Sequence, residues 1–288
     1  MKYIKQLIAY LILVLIFQNC NKINEIGYSP ALTPDLFLSS HHWMDIKIGN
    51  DTIVLSQPTS TFFVYLLSFF YLFVGYQFFS DQRNQKSRYY WAWGFFLTGI
   101  AAIFAGTSYQ AFGYELKCRG REFCRWTTWW EINYEILQNA GMNGFLIAFA
   151  YSNVNGNLRK ILIGYSIVNF LVYTILVLYG AFVPYQFFIS FEFLELSCLP
   201  AVLYFLVSSI VLYFKQKDQT NKYQLITWIL LILVMIAYVL YMDLGITAIL
   251  WGRGIWFSEN DVLHVALILW VYYIQSTLLK VVNDAESV

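Results

Sequence analysis

Charge is scarce in this chain, and so are the residues from which reactive sites are usually assembled. Only 12% of its 288 residues are Asp, Glu, Lys or Arg, against about 25% in soluble domains. With 59% hydrophobic and 20% aromatic residues, that composition excludes an ordinary soluble domain and indicates a polytopic membrane protein. The formal net charge of +1 gives no reason to expect a nucleic-acid partner. Cysteine is limited to Cys20, Cys118, Cys124 and Cys198, without zinc-finger spacing. Histidine is limited to His41, His42 and His264. A Gly-rich phosphate loop, a G-x-S-x-G elbow and low-complexity tracts are all missing.

What is present is apolar sequence in long runs. Residues 1–20 have a basic start (Lys2, Lys5), an apolar stretch from Leu7 to Phe17, and Gln18-Asn19-Cys20. A charged start before ~7–15 apolar residues is the pattern of a secretory signal. The segment reads as a signal peptide or as an uncleaved signal anchor. Its end resembles a relaxed bacterial lipobox, in which Cys20 would carry the lipid, with Asn19 where a small residue is usual. Residues 21–60 form a polar, exported or interfacial segment, in which His41-His42 reads as a solvated or interfacial pair because adjacent side chains do not face one another. Residues 61–288 form the membrane domain. Seven apolar segments lie there, Thr61–Phe79, Tyr89–Phe112, Ile132–Ser152, Ile161–Gly180, Phe188–Phe214, Gln224–Asp243 and Asp261–Val282. Each approaches the ~20 residues needed to cross a bilayer. The expected fold is therefore an all-α integral membrane bundle of seven transmembrane helices.

Orientation follows from basic residues in the connectors. Arg83, Lys86, Arg88, Arg159, Lys160, Lys215, Lys217, Lys222 and Lys280 fall on one side, and a slightly smaller set from Lys22 to Arg253 on the other. Positive charge favours the cytoplasm, so the N-terminus is expected outside and the C-terminus inside, in a bacterial inner membrane. The loop Gly113 to Glu131 is then external, where an oxidising compartment favours a Cys118–Cys124 disulfide over free thiols. Its Arg, Lys and Trp residues suit an aromatic belt against headgroups, or a lid over a pocket.

With directions assigned, the acids gather at one level. Glu115, Glu131, Glu135, Glu192, Glu195, Asp243 and Asp261 all lie toward the external side. On the third segment Glu131, Glu135, Gln138 and Asn139 make one helical stripe. On the second, Gly99, Ala102, Gly106, Gln110 and Gly113 share a small-residue seam that admits a neighbouring helix. On the seventh, Asn260, Asp261 and His264 share a face. Snorkelling accounts for Glu115, Glu131 and Asp243. A shared outward-opening pocket accounts for the deeper groups, and its expected lining is Gln110, Glu135, Gln138, Asn139, Glu192, Glu195, Asn260, Asp261 and His264.

Asp261 and His264 are the candidate catalytic pair, since imidazole titrates near neutral pH. His264, Asp261, Glu135 and Glu192 are the candidate ligands for a divalent metal ion, a carboxylate-rich set better matched to manganese, iron or calcium than to zinc. A helix-packing histidine is the structural alternative. A Schiff-base lysine midway along the last helix is absent, which argues against a microbial rhodopsin, as the lone bundle histidine argues against a haem carrier. Ala105-Gly-Thr-Ser-Tyr-Gln-Ala-Phe112 and Asn260-x-x-x-His264, at the ends of the second and seventh segments, resemble the superfamily of alkaline ceramidases and progestin/adiponectin-type receptors. That family carries Ser-x-x-x-His and His-x-x-x-His there, forming a zinc amidohydrolase site. Here Ser108 and His264 match, whereas Phe112 and Asn260 stand in place of two histidines; Gln110 and Glu115 are the nearest polar substitutes. The resemblance implies a seven-helix fold and a lipid-like ligand. The functional expectation is binding or sensing of an amphiphile, with membrane lipids as partners. The alternatives are a metal-dependent amide hydrolase on a carboxylate-rich site and an ion-coupled transporter.

Overall fold

The computed structural model describes residues 21–285. The leader expected over residues 1–20, including Cys20, lies outside the described residues. Seven long helices carry the chain: α1 (Pro58–Ser80), α2 (Lys86–Ala105), α3 (Trp129–Asn153), α4 (Gly156–Phe182), α5 (Phe191–Gln216), α6 (Gln219–Asp243) and α7 (Glu259–Ser276). Six are long and apolar enough to cross a membrane: all but α3, with α2 counted on to Ala111 and α7 to Val281. They mark a membrane protein. The exception, α3, is equally long, but its stripe of Glu131, Glu135, Gln138 and Asn139, with Asn133 and Asn143, lowers its apolarity.

The reason α3 tolerates that composition is its position. It packs against α2, α4 and α5, and a ring closes through α1–α2, α2–α3, α3–α5, α5–α6, α6–α7 and α7–α1. α4 lies outside the ring on the flank of α3. Glu131, Asn133, Glu135, Asn139 and Asn143 are all buried, so the polar stripe faces protein instead of lipid. Its lower part is held by amides: Asn139 Nδ2 donates to Ser197 Oγ at 2.8 Å and Asn169 Oδ1 at 3.2 Å, and Asn143 Nδ2 donates to Asn169 Oδ1 at 2.9 Å. Such bonds join α3, α4 and α5 as interhelical glue.

The half of the ring toward the chain's C-terminus is filled. Phe78, Trp91, Phe95, Phe145, Phe149, Phe205, Trp228 and Trp270 form one buried aromatic core, in which Phe205 stacks on Trp228 with centroids 3.9 Å apart. At that end Arg88, fully buried, pairs with Asp81 at 2.8 Å and donates to the Leu279 carbonyl at 2.8 Å. The small-residue seam of α2 is where α1 comes close: a Cβ on Gly106 would lie 2.5 Å from Val64, and one on Gly99 would lie 3.0 Å from Leu72.

The opposite end is capped. Residues 21–60 were expected as a polar, exported or interfacial segment; they hold a 3-10 turn (Asn21–Glu25), a short helix (Pro34–Ser39), a hairpin of β1 (Trp43–Ile48) with β2 (Asp51–Ser56), and the first residues of α1. The strands are antiparallel, pairing Trp43 with Ser56 through to Ile48 with Asp51. The turn opens on Gly49 at φ 63, a left-handed value that glycine adopts freely. The small sheet is an addition to the expected all-α bundle. Its physical reason is the run of β-branched residues Thr52-Ile53-Val54 opposite Ile46 and Ile48, which suits a half-covered ribbon. The hairpin and the loop after α2 interlock: Val54 N donates to Glu115 Oε1 at 2.7 Å, Cys124 N to the Leu32 carbonyl at 2.8 Å and Trp126 N to the Ile26 carbonyl at 2.9 Å. Cys118 and Cys124 form the expected disulfide, packed against Phe37. Both histidines of the pair are half-buried. His42 stacks on Trp256 at 4.7 Å and meets Trp251 edge-on at 4.4 Å, and His41 turns inward.

α2 and α3 approach closely through glycine, and a methyl group there has nowhere to go. A Cβ on Gly94 would fall 2.4 Å from two carbons of the buried Phe145 ring. Gly94→Ala is expected to lower stability by about 1–3 kcal/mol through overpacking. Gly164→Ala on α4, where a Cβ meets nothing within 4 Å, should leave the melting temperature in detergent unchanged or slightly higher. Equal melting of both variants would contradict the close α2–α3 packing.

Candidate functional site

Between the cap and the aromatic core the ring is open, leaving a cavity of about 500 Å³. That lies within the ~300–1,000 Å³ range of small-molecule sites. Its roof is the cap, through Tyr28, Leu32, Phe37, His41 and Gln57. Its walls are Ala105, Tyr109 and Gln110 at the end of α2, Lys117 from the loop, Tyr134 of α3, Phe191 of α5, Tyr238 of α6, and Asn260, Leu263 and His264 of α7.

The local structure of α2 explains two of these positions. The helix does not run evenly to Phe112. It widens into a π-helical turn at Gly106–Ala111, closed by Phe112 N donating to the Thr107 carbonyl at 2.9 Å. Such turns recur at functional sites. Here it places Ser108 toward α3 and Gln110 on the cavity wall. Ser108 Oγ donates to Glu131 Oε1 at 2.8 Å and lies 2.7 Å from Thr128 Oγ1.

Glu131 is not a snorkelling acid. It is buried and pairs with Lys117 Nζ at 2.6 Å. The same ammonium donates to the Trp126 carbonyl at 3.1 Å and sits 5.0 Å from the centre of the Tyr109 ring. Burial works to lower the pKa of Lys117, but the Glu131 carboxylate, with Tyr28, outweighs it and raises it above the ordinary value. Lys117 therefore stays charged. His41 goes the other way: burial lowers its pKa against the pull of the Phe37 carbonyl, which lies 2.7 Å from Nδ1. It is neutral at pH 7.

The expected lining is brought together only in part. Gln110, Asn260 and His264 reach the cavity. Asp261, fully buried, is not among the residues that line it. Its Oδ2 accepts from Ser258 N at 2.5 Å and from Thr59 Oγ1 at 3.2 Å, making it the acid of a capping box that opens α7 and ties it to α1. The Ser258-x-x-Asp261 spacing carries that signal in the sequence. Glu135 is buried beside Tyr173, whose hydroxyl donates to Oε2 at 3.3 Å, away from the cavity lining. Gln138 is half-buried on α3, Asn139 belongs to the amide cluster, and Glu192 and Glu195 are exposed on α5. The residues missed are the roof and Lys117, from segments read as interfacial or as an aromatic belt, and Tyr109, Tyr134 and Tyr238, from apolar segments in which a tyrosine carries no polar signal of its own.

Among the described residues, no three His, Cys, Asp or Glu side chains are grouped so as to hold a metal ion. The candidate set of His264, Asp261, Glu135 and Glu192 is separated by the cap role of Asp261 and the outward position of Glu192. Two polar atoms of cavity-wall residues, Gln110 Oε1 and His264 Nδ1, are buried without a hydrogen-bond partner among the described residues. Buried polar groups are nearly always paired, so these two single out that stretch of wall.

Residues 59–281 match a protein family described as a family of unknown function, DUF6962. No curated protein and no solved structure matches the chain.

The Lys117–Glu131 pair gives a direct test of how the cavity wall is held. Removing one partner of a buried ion pair costs about 3–5 kcal/mol, whereas replacing both with apolar groups of similar volume is often neutral. Lys117→Met should destabilise the protein by that amount, and Lys117→Met with Glu131→Leu should recover most of it in thermal melts. Additive losses in the double variant would show that the two side chains are not coupled.

Proposed function

The chain belongs to DUF6962, and for this member we propose that the capped cavity binds an amphiphilic, lipid-like molecule, in a binding or sensory role. The observation that carries this reading is the mixed wall of the cavity. Phe37, Phe191, Leu32 and Leu263 supply apolar surface, the tyrosines, Gln110, Asn260 and His264 supply polar groups, and the volume of about 500 Å³ suits a small ligand or part of a lipid. Phe191 lines the cavity and is 37% exposed, so the cavity reaches the bundle's flank beside α5, where membrane lipid is adjacent. The ceramidase-like hydrolase and ion-coupled readings draw no comparable support, since among the described residues neither a converging ligand set nor a line of acids toward the far end accompanies the cavity.

In this reading all seven long helices cross a bacterial inner membrane, with the capped end outside and the C-terminus inside. The disulfide in the cap supports that direction, because oxidising conditions lie outside the cytoplasm. So does the slight excess of Lys and Arg at the other end.

Binding is tested with diazirine-bearing amphiphiles on the purified protein in nanodiscs. Photo-crosslinks should map to cavity-wall segments around Tyr134, Tyr238 and Leu263. Leu263→Trp, which fills the space, should abolish them without lowering the melting temperature. Crosslinks confined to the outer face of α4 and indifferent to Leu263→Trp would contradict the proposal. Orientation is tested separately in a Cys198→Ser background on intact spheroplasts. A membrane-impermeant maleimide should label Asn50→Cys in the exposed hairpin turn and spare Asn84→Cys at the other end; the reverse pattern would overturn the orientation.

A further inference from the structure

Resting on the binding reading above, we infer that the cavity selects an amphiphile with an uncharged, hydroxyl-bearing head, of the kind a monoacylglycerol presents, over anionic or cationic amphiphiles. The charges around the cavity carry this. Its one ammonium among the described lining residues is Lys117, and an ammonium has three donors. Glu131 at 2.6 Å and the Trp126 carbonyl at 3.1 Å take two of them, and the Tyr109 ring covers the ammonium at 5.0 Å. A phosphate or carboxylate head could claim Lys117 only by separating it from Glu131, which would leave a buried carboxylate unpaired at a cost of several kcal/mol. A cationic head fares no better. No Asp or Glu is among the described residues that line the cavity. Of the acids behind the wall, Glu131 is paired with Lys117 and Glu259 accepts from Thr247 Oγ1. Asp261, whose Oδ2 accepts from Ser258 N and Thr59 Oγ1 while its Oδ1 has no partner among the described residues, stands off the lining at the start of α7.

What the wall offers is neutral hydrogen bonding. Gln110 Oε1 is an acceptor without a donor, and His264 Nδ1 accepts or donates according to tautomer. Tyr109, Tyr134 and Tyr238 stand on the same wall, each hydroxyl able to donate and accept. A hydroxyl group complements both kinds, because it donates one hydrogen and accepts through two lone pairs. An anionic oxygen, which only accepts, leaves Gln110 Oε1 unmet. The acyl chain has an apolar path beside Leu263 and Phe191 to the flank.

The experiment compares three probes with the same diazirine-bearing chain, a monoacylglycerol, a lysophosphatidate and an alkylammonium, on the full protein in nanodiscs. The monoacylglycerol should crosslink to the cavity wall at a concentration at least about tenfold below the other two. Gln110→Met should weaken it about tenfold, the equivalent of one hydrogen bond of ~1.4 kcal/mol, without changing the weak crosslinking of the charged probes. A charged probe that labels the same wall as strongly as the monoacylglycerol overturns the inference and leaves the binding reading standing. Failure of all three to label the wall overturns the binding reading and the inference with it. Should Gln110→Met not assemble, the ranking of the three heads on the unaltered protein decides alone.

Discussion

The ion pair between Lys117 and Glu131 ties the cap to the bundle through a buried charge contact. Lys117 ends a short helix next to the disulfide, in the cap. Glu131 lies in the first turn of α3, the ring helix that α2, α4 and α5 all pack against. Both are buried, so neither charge is tolerable without the other. Their union closes one wall of the cavity and fixes Tyr109 and Tyr28 beside it. It also anchors Ser108, and with it the π-helical turn that brings Gln110 to the wall. The disulfide between Cys118 and Cys124, the backbone bonds to Leu32 and Ile26, and the hairpin's hold on Glu115 all brace the loop that delivers Lys117.

The division of the ring into a filled half and an open half follows from the same economy of polar groups. Toward the C-terminal end, Trp91, Phe95, Phe145, Phe149, Phe205, Trp228 and Trp270 fill the ring, and large aromatic surfaces stacked there leave no space for a ligand. Around the cavity the rings are mostly tyrosines, Tyr28, Tyr109, Tyr134 and Tyr238 beside Phe37 and Phe191, and tyrosine hydroxyls need partners. A site needs that combination of apolar body and polar tip. The family match begins at Thr59, so the roof lies outside the matched region while the walls from α2, α3, α5, α6 and α7 lie within it.

Much of the bundle was readable from the sequence because apolar length is a strong signal. The seven expected segments fall within the seven long helices with modest shifts at their ends, apart from the π-helical turn in the second, the 3-10 turn before the fifth and the break at Thr277 in the seventh. The seam at Gly99 and Gly106 also reads correctly, because close helix approach demands small residues at that spacing. The site was readable only in part. Gln110, Asn260 and His264 reach the cavity, since a helix face places i, i+3 and i+4 together. Asp261 shares that face and yet serves as a capping acid, a role its Ser258-x-x-Asp261 spacing announces. Face arguments place residues about one axis and say nothing of which neighbour stands opposite. That is why Glu135, Asn139 and the exposed Glu192 and Glu195 parted company. The roof of Tyr28, Leu32, Phe37, His41 and Gln57 and the Lys117–Glu131 pair depend on contacts between segments distant in the chain, which periodicity does not encode.

The central claim is that the capped half of the ring is a ligand cavity and not merely loose packing. Native mass spectrometry of the protein released directly from its own membrane tests it most directly. The claim predicts a population carrying one small amphiphile that survives mild activation, and the loss of that population when Leu263→Trp fills the cavity. Bare protein at all activation energies, or adducts that Leu263→Trp leaves untouched, would contradict it.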